Sequence, residues 1–207
     1  MSTLNASAVP ERVGWRRSDG GQALLVREWL VSNGLGGYAA GTVGGVPTRR
    51  FHGLLVAALP APLGRTMMFN YIADSIRVAG GPLLEMSGRE LFAPAGLELP
   101  EPFLEEFLID NGRPLWRYQA GGVGVEKRLV MPHRQNTVHV AYRLCSAPGP
   151  VTLLLRPGFQ LRRHEGALAE SLDGYPVVKS ARGLEISDPV QPGLPPLRLA
   201  VRGAAPG

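Results

Sequence analysis

The chain has 207 residues, 44% of them hydrophobic and 19% charged, which is enough apolar material to build a core and excludes a wholly disordered protein. Its 27 glycines follow no three-residue repeat, so it is not collagen-like, and together with 19 prolines they imply many turns. The net charge of +5 is carried almost entirely by arginine, and the pairs Arg49–Arg50, Lys127–Arg128 and Arg162–Arg163 are separated rather than merged into one basic tract, so no nucleic-acid partner is expected.

Residues 1–21 read as an irregular polar segment. Their opening, MSTLNASAVPERVG, lacks the basic start and apolar stretch of a secretory leader, and no apolar run in the sequence approaches the roughly 20 residues of a spanning helix. A single cysteine, Cys145, cannot form an intramolecular disulfide, and a cytoplasmic protein with no membrane insertion is the expectation.

Residues 22–30 supply the first expected strand, followed by a glycine loop over 32–37. Residues 51–59 are short and apolar enough for a strand buried on both faces, although periodicity alone leaves a buried helical turn open; Pro60 and Pro62 end it. Residues 66–78 read as a further strand, closed by a turn at Gly80, Gly81 and Pro82. Residues 103–109 lead into Asp110-Asn111-Gly112, a hairpin signal because both central positions tolerate positive φ, with 116–119 as the returning arm.

A second turn at Gly121-Gly122 hands over to 123–131. In TVHVAYRLC, Val138, Val140, Tyr142 and Leu144 share one face and Thr137, His139, Ala141 and Arg143 the other, which predicts a strand with one side inward. VTLLLRP, YPVVKS and LRLAVR follow as shorter candidates, and no long capped amphipathic helix is found. Many short strands between Gly, Pro and Asn turns predict an all-β chain of antiparallel sheets closed into a sandwich over 22–190. The Pro/Gly-rich residues 191–207 read as a tail or as the truncated end of that domain.

The loop NGLGGYAAGTVGG contains neither dinucleotide nor P-loop spacing, so its glycines point to tight sheet geometry first and to an anion or sugar hydroxyl second. On a strand, Thr48, Arg50 and His52 would share one face and Arg49 and Phe51 the other. Two readings of this set stay open. It is either a functional surface for a carboxylate or hydroxyls, or a structural group in which Arg49 or Arg50 pairs with Glu28 and His52 satisfies a buried polar atom.

His133, His139 and His164 show no short metal-ligand spacing, and neither metal nor cofactor is expected. Cys145 reads as an inert small hydrophobe. Glu105 and Glu106 are adjacent, so on a strand they point apart and cannot form a hydrolytic pair; a cross-strand pair among Glu101, Glu105, Asp110 and Glu126 is left open. Trp29, Tyr38, Phe51, Trp116, Tyr118 and Tyr142 would stack sugars if exposed, with core packing as the commoner fate.

The stretch EWLVSNGLGGYAAGTVGGVPTRRFHGLLVAAL resembles the opening signature of the N-terminal domain of bacterial and archaeal glycogen debranching enzymes, the amylo-α-1,6-glucosidase type, with support from GRTMMFNYIAD, VEKRLVMPHRQNTVHVAYRL and LLLRPGF. The resemblance implies a large antiparallel β-sandwich, or supersandwich, like the front domain of bacterial glucoamylases. It further implies a separate (α/α)6 barrel that hydrolyses α-1,6-linked branch stubs and is absent from this chain. The chain itself is then expected to be non-catalytic, with the barrel and glycogen or another α-glucan as its partners; a stand-alone glucan-binding module or a degenerate structural protein is the alternative.

Carried over residue by residue, the resemblance implies Glu28, Asn33, Tyr38, Arg49, Arg50 and His52 as substrate or domain-interface candidates, and Gly34, Gly36, Gly37, Gly41 and Gly53 as turn residues. It extends to Trp29, Thr42, Thr48, Glu126, Lys127, Asn136 and Thr137. Phe51 stands where tyrosine is usual. In RPGFQLRRHEG the family pattern of Arg, Asp, an aromatic and His is replaced by Arg163 in the acidic place, His164 in the aromatic place and Glu165 in the histidine place.

Overall fold

The computed structural model describes residues 14–90, 97–98, 103–166, 174–191 and 193–203. It is nearly all β: among the described residues, helix is confined to α1 (Ala23–Val26) and a 3-10 turn at Arg17–Asp19. The strands are β1 (Gly14–Arg16), β2 (Glu28–Ser32), β3 (Tyr38–Thr42), β4 (Gly53–Ala58), β5 (Arg65–Phe69), β6 (Tyr71–Val78), β7 (Leu83–Glu85), β8 (Arg89–Glu90) and β9 (Leu97–Glu98). They continue with β10 (Leu104–Asp110), β11 (Arg113–Ala120), β12 (Val123–Val130), β13 (His139–Ser146), β14 (Val151–Gly158), β15 (Arg162–Arg163), β16 (Val177–Ser180), β17 (Gly183–Ile186) and β18 (Leu197–Leu199).

Two five-stranded sheets, ordered β1-β10-β11-β12-β13 and β15-β5-β4-β3-β2, meet through tryptophan. Trp29 of β2 and Trp116 of β11 touch edge to face at 5.4 Å, and Trp116 donates its indole N–H to the Val43 carbonyl at 2.9 Å. Burying two indoles requires a partner for each N–H, and Trp29 finds its own in the Thr42 carbonyl at 3.1 Å. Smaller sheets, β14-β6-β7, β16-β17-β18 and the pair β8-β9, complete the set, and the described pairings are antiparallel.

The Asn-Gly hairpin forms between β10 and β11, with Asn111 at φ 50° and Gly112 at φ 75°. Gly121 and Gly122 make the next turn, joining β11 to β12. Other expectations are corrected. Residues 22–30 are not one strand: α1 drops Leu24 into the core, and β2 starts at Glu28. Residues 66–78 divide at Asn70 into β5 and β6, which join different sheets because Asn70 bonds across to Gly158, Gln160 and Leu54.

β13 is a sheet edge, and its expected inward face is only partly covered, with Val140 and Tyr142 half-buried and Leu144 exposed. Cys145 is exposed on the same strand rather than packed as a hydrophobe. Within residues 1–21, Trp15 of β1 is buried, and within 191–207, Leu197 of β18 enters the core.

Candidate functional site

Asn33 organises the glycine loop. Its amide oxygen accepts from the N–H groups of Leu35 at 2.9 Å and Gly37 at 3.0 Å, and its amide nitrogen donates to the Gln135 carbonyl and to Asn136 Oδ1, each at 3.0 Å. Asn136 in turn brackets Ala58 of β4, accepting from its N–H at 2.9 Å and donating to its carbonyl at 2.8 Å. Asn33 is fully buried, and these four bonds shape the loop around it.

Gly37 has no room for a side chain: a Cβ there would lie 2.7 Å from Asn33 Nδ2 and 2.8 Å from the Val56 carbonyl. Gly53 is similarly closed by Met67, while Gly34 and Gly36 adopt positive φ and Gly41 lies against the Trp29 indole. These glycines therefore serve the close approach of loop and sheet.

Residues 49–52 form a turn, with the His52 N–H bonded to the Arg49 carbonyl at 2.9 Å, and β4 begins only at Gly53. The strand alternation expected for Thr48 to His52 therefore does not apply. His52 is buried and turns back so that Nδ1 accepts from the N–H groups of Thr48 at 3.1 Å and Arg49 at 3.3 Å. That fixes the proton on Nε2, which lies 3.4 Å from Glu28 Oε1. Glu28 also holds Arg49 Nε at 2.5 Å. Burial pushes the His52 imidazole below its ordinary value, and the Glu28 carboxylate opposes that shift.

Arg50 is exposed, with its guanidinium 4.6 Å from the centroid of the Phe51 ring. Phe51 is 38% exposed and stacks on His164, centroids 4.6 Å apart and planes at 25°. The Tyr38 hydroxyl donates to the Phe51 carbonyl at 3.0 Å and lies 2.7 Å from His164 Nε2; with its one proton so used, it accepts from the imidazole N–H. Burial raises the Tyr38 phenol, and burial together with Arg65 lowers His164.

Arg162 binds this turn to the segment beyond β14. It is buried, and its guanidinium donates to the carbonyls of Arg50, Arg163 and His164 and to Gln160 Oε1. Sequence reasoning did not single Arg162 out as a site residue; its signal lay in the RPGFQLRRHEG pattern, where it keeps the arginine place. His164, in the aromatic place, supplies a ring that stacks.

The carboxylates weighed for hydrolysis are occupied elsewhere. Glu126 is held by Arg117 at 3.2 Å and Arg143 at 2.7 Å, Asp110 by Arg128 at 3.1 Å and Glu105 by Arg17 at 3.3 Å; Glu101 lies outside the described residues. Trp29, Trp116 and Tyr118 are core residues and Tyr142 is half-buried, which leaves Phe51 as the well-exposed ring of the six aromatics considered. Among the described residues, no three His, Cys, Asp or Glu side chains converge to hold a metal ion.

Antiparallel sheets and a corner of buried Asn33, His52 and Arg162 define an all-β domain. The chain belongs to the glycogen debranching enzyme N-terminal family, whose profile matches residues 27–205. No curated protein and no solved structure matches it significantly.

Proposed function

We propose that the chain is a non-catalytic N-terminal domain in glycogen debranching, supporting a separate (α/α)6 barrel that hydrolyses the α-1,6 branch stubs. The family membership over residues 27–205 carries this reading, and the engagement of Glu105, Asp110 and Glu126 by arginines is consistent with it. The two five-stranded sheets in contact through Trp29 and Trp116 then correspond to the layers of a supersandwich spanning 22–190, in a cytoplasmic protein. Among the described residues, no helix is long and apolar enough to cross a membrane. The test is incubation of the purified chain with a branched limit dextrin: no glucose is released by the chain alone, and release proportional to protein and lost on substitution of one carboxylate overturns the reading.

A glucan-binding role for the same domain is favoured by the exposure of Arg50 and Phe51 beside His164, since guanidinium and imidazole groups suit sugar hydroxyls. Mobility in glycogen-containing native gels checks it. Retardation relative to a glycogen-free gel supports binding, and unchanged mobility removes it.

A further inference from the structure

The sheet β1-β10-β11-β12-β13 ends in β13, whose second edge has no partner strand among the described residues. An open edge invites pairing unless it is short or carries proline or lysine. β13 is eight residues long, HVAYRLCS, with neither; β14, the other eight-residue edge, contains Pro157. β13 is also fixed in place. The Tyr142 hydroxyl donates to Asp74 at 2.7 Å, and Asn136, just before the strand, brackets Ala58. A strand joining such an edge orders only itself.

Each face of the edge specifies what suits the position beside it. On the outer face Arg16, Glu106, Arg117, Glu126 and Arg143 alternate in sign across the five strands, with successive N···O separations of 3.5, 2.6, 3.2 and 2.7 Å. The row stops at the open edge on a cation, Arg143, whose side chain is 70% exposed. Opposite charges stabilise directly opposed positions on neighbouring strands and like charges destabilise them, so the next position in the row suits a carboxylate.

On the inner face, Tyr142 and Leu144 point toward the sheet β14-β6-β7, and Leu153 and Leu155 of β14 share a face with Ile76 and Asp74 of β6. Leu144 is 47% exposed and Leu153 37%, so the gap between the two sheets is open on the side where β13 and β14 end them. Side chains entering there meet leucine, which suits apolar ones.

We propose that the β13 edge is a docking site for an extended segment of another polypeptide, added as a further strand, with an acidic side chain opposite Arg143 and apolar side chains at the two flanking positions. Backbone hydrogen bonds supply the attachment, and the apolar, acidic, apolar pattern supplies the selectivity. A second copy of this chain does not meet that pattern. The outer face of β13 carries His139, Ala141, Arg143 and Cys145, so pairing β13 with itself brings no carboxylate to Arg143.

Two capped, fluorescently labelled peptides, STVEVTVS and STVKVTVS, test this on the whole chain. By anisotropy at low ionic strength the glutamate peptide binds roughly fivefold more tightly, the size expected of exposed charge contacts, and it slows amide hydrogen exchange over residues 139–146. Arg143→Gln abolishes the preference between the peptides, and Leu144→Ser weakens both equally. Both positions are exposed, and cooperative urea unfolding shows that each variant is folded. Arg182→Gln, in the turn between β16 and β17, changes neither affinity.

Equal affinity for the two peptides overturns the acidic requirement. Binding of neither, or exchange slowed only outside residues 139–146, overturns the site. Dimerisation of the peptide-free chain in sedimentation equilibrium, with residues 139–146 becoming protected as concentration rises, gives the edge to a second copy and overturns the proposal as well.

Discussion

His52, one of the substrate or domain-interface candidates, is held in the fold by backbone hydrogen bonds. Two backbone N–H groups point at Nδ1, so protonating that nitrogen forfeits both hydrogen bonds and places a charge in a buried site. Its folded pKa lies below the ordinary histidine value of 6.5, burial being the main cause. The unfolded chain therefore takes up the proton first as pH falls, and the stability contributed by neutral His52 is present above the unfolded value and lost below it. Urea unfolding of the wild type and of His52→Asn, whose amide oxygen can replace Nδ1 as acceptor, reads this directly. Between about pH 7 and pH 5 the wild type loses more stability than the variant. Parallel profiles would show that the imidazole does not titrate differently in the two states. The strand alternation expected around this residue failed because periodicity cannot reveal that residues 49–52 form a turn before β4 begins.

At the level of strands, register aligns the outer charges of one sheet into a row. Arg16, Glu106, Arg117, Glu126 and Arg143 are successive cross-strand partners on β1, β10, β11, β12 and β13, and each neighbouring pair lies within salt-bridge distance. Glu126 is the most shielded carboxylate of this row; its bond to Arg143, more than any other contact, holds its carboxyl below the ordinary range. Glu126→Gln is expected to destabilise the chain at neutral pH and low salt. Because the folded pKa is depressed, the difference is present above the unfolded value and shrinks as pH falls through the folded one, and salt reduces it because the arginines are largely solvated. A difference indifferent to both salt and acid would point to packing instead. Such pairings were unreadable beforehand because register is a long-range property, whereas the Asn111-Gly112 hairpin was legible from two residues whose conformations select the turn. β3 escaped notice for another reason: its YAAGT sequence has little strand propensity and uses small residues to sit against Trp29.

For the molecule as a whole, one polar link between sheets is buried. Lys127 on β12 reaches Asp74 on β6 with Nζ 2.6 Å from Oδ2, and the Tyr142 hydroxyl on β13 donates to the same oxygen at 2.7 Å. Asp74 is fully buried and Lys127 nearly so, with the ammonium 5.4 Å from the Trp116 ring centroid. Burial and then Asp74 push the Tyr142 phenol up, which keeps it protonated and able to donate. Asp74 Oδ1, by contrast, has no partner, so the carboxylate depends on the contacts at its other oxygen. Lys127→Met removes the cation and leaves the carboxylate buried with one neutral donor, and breaking a buried pair in this way costs about 3–5 kcal/mol. The loss should appear as a lower urea midpoint with an unchanged m-value, since the folded and unfolded surfaces change little. Lys127→Met/Asp74→Leu removes both charges and is expected to be more stable than Lys127→Met alone, because the desolvation penalty of the abandoned carboxylate disappears with it. If the double variant is the less stable of the two, the junction is held by the volume and shape of Asp74 and not by its charge.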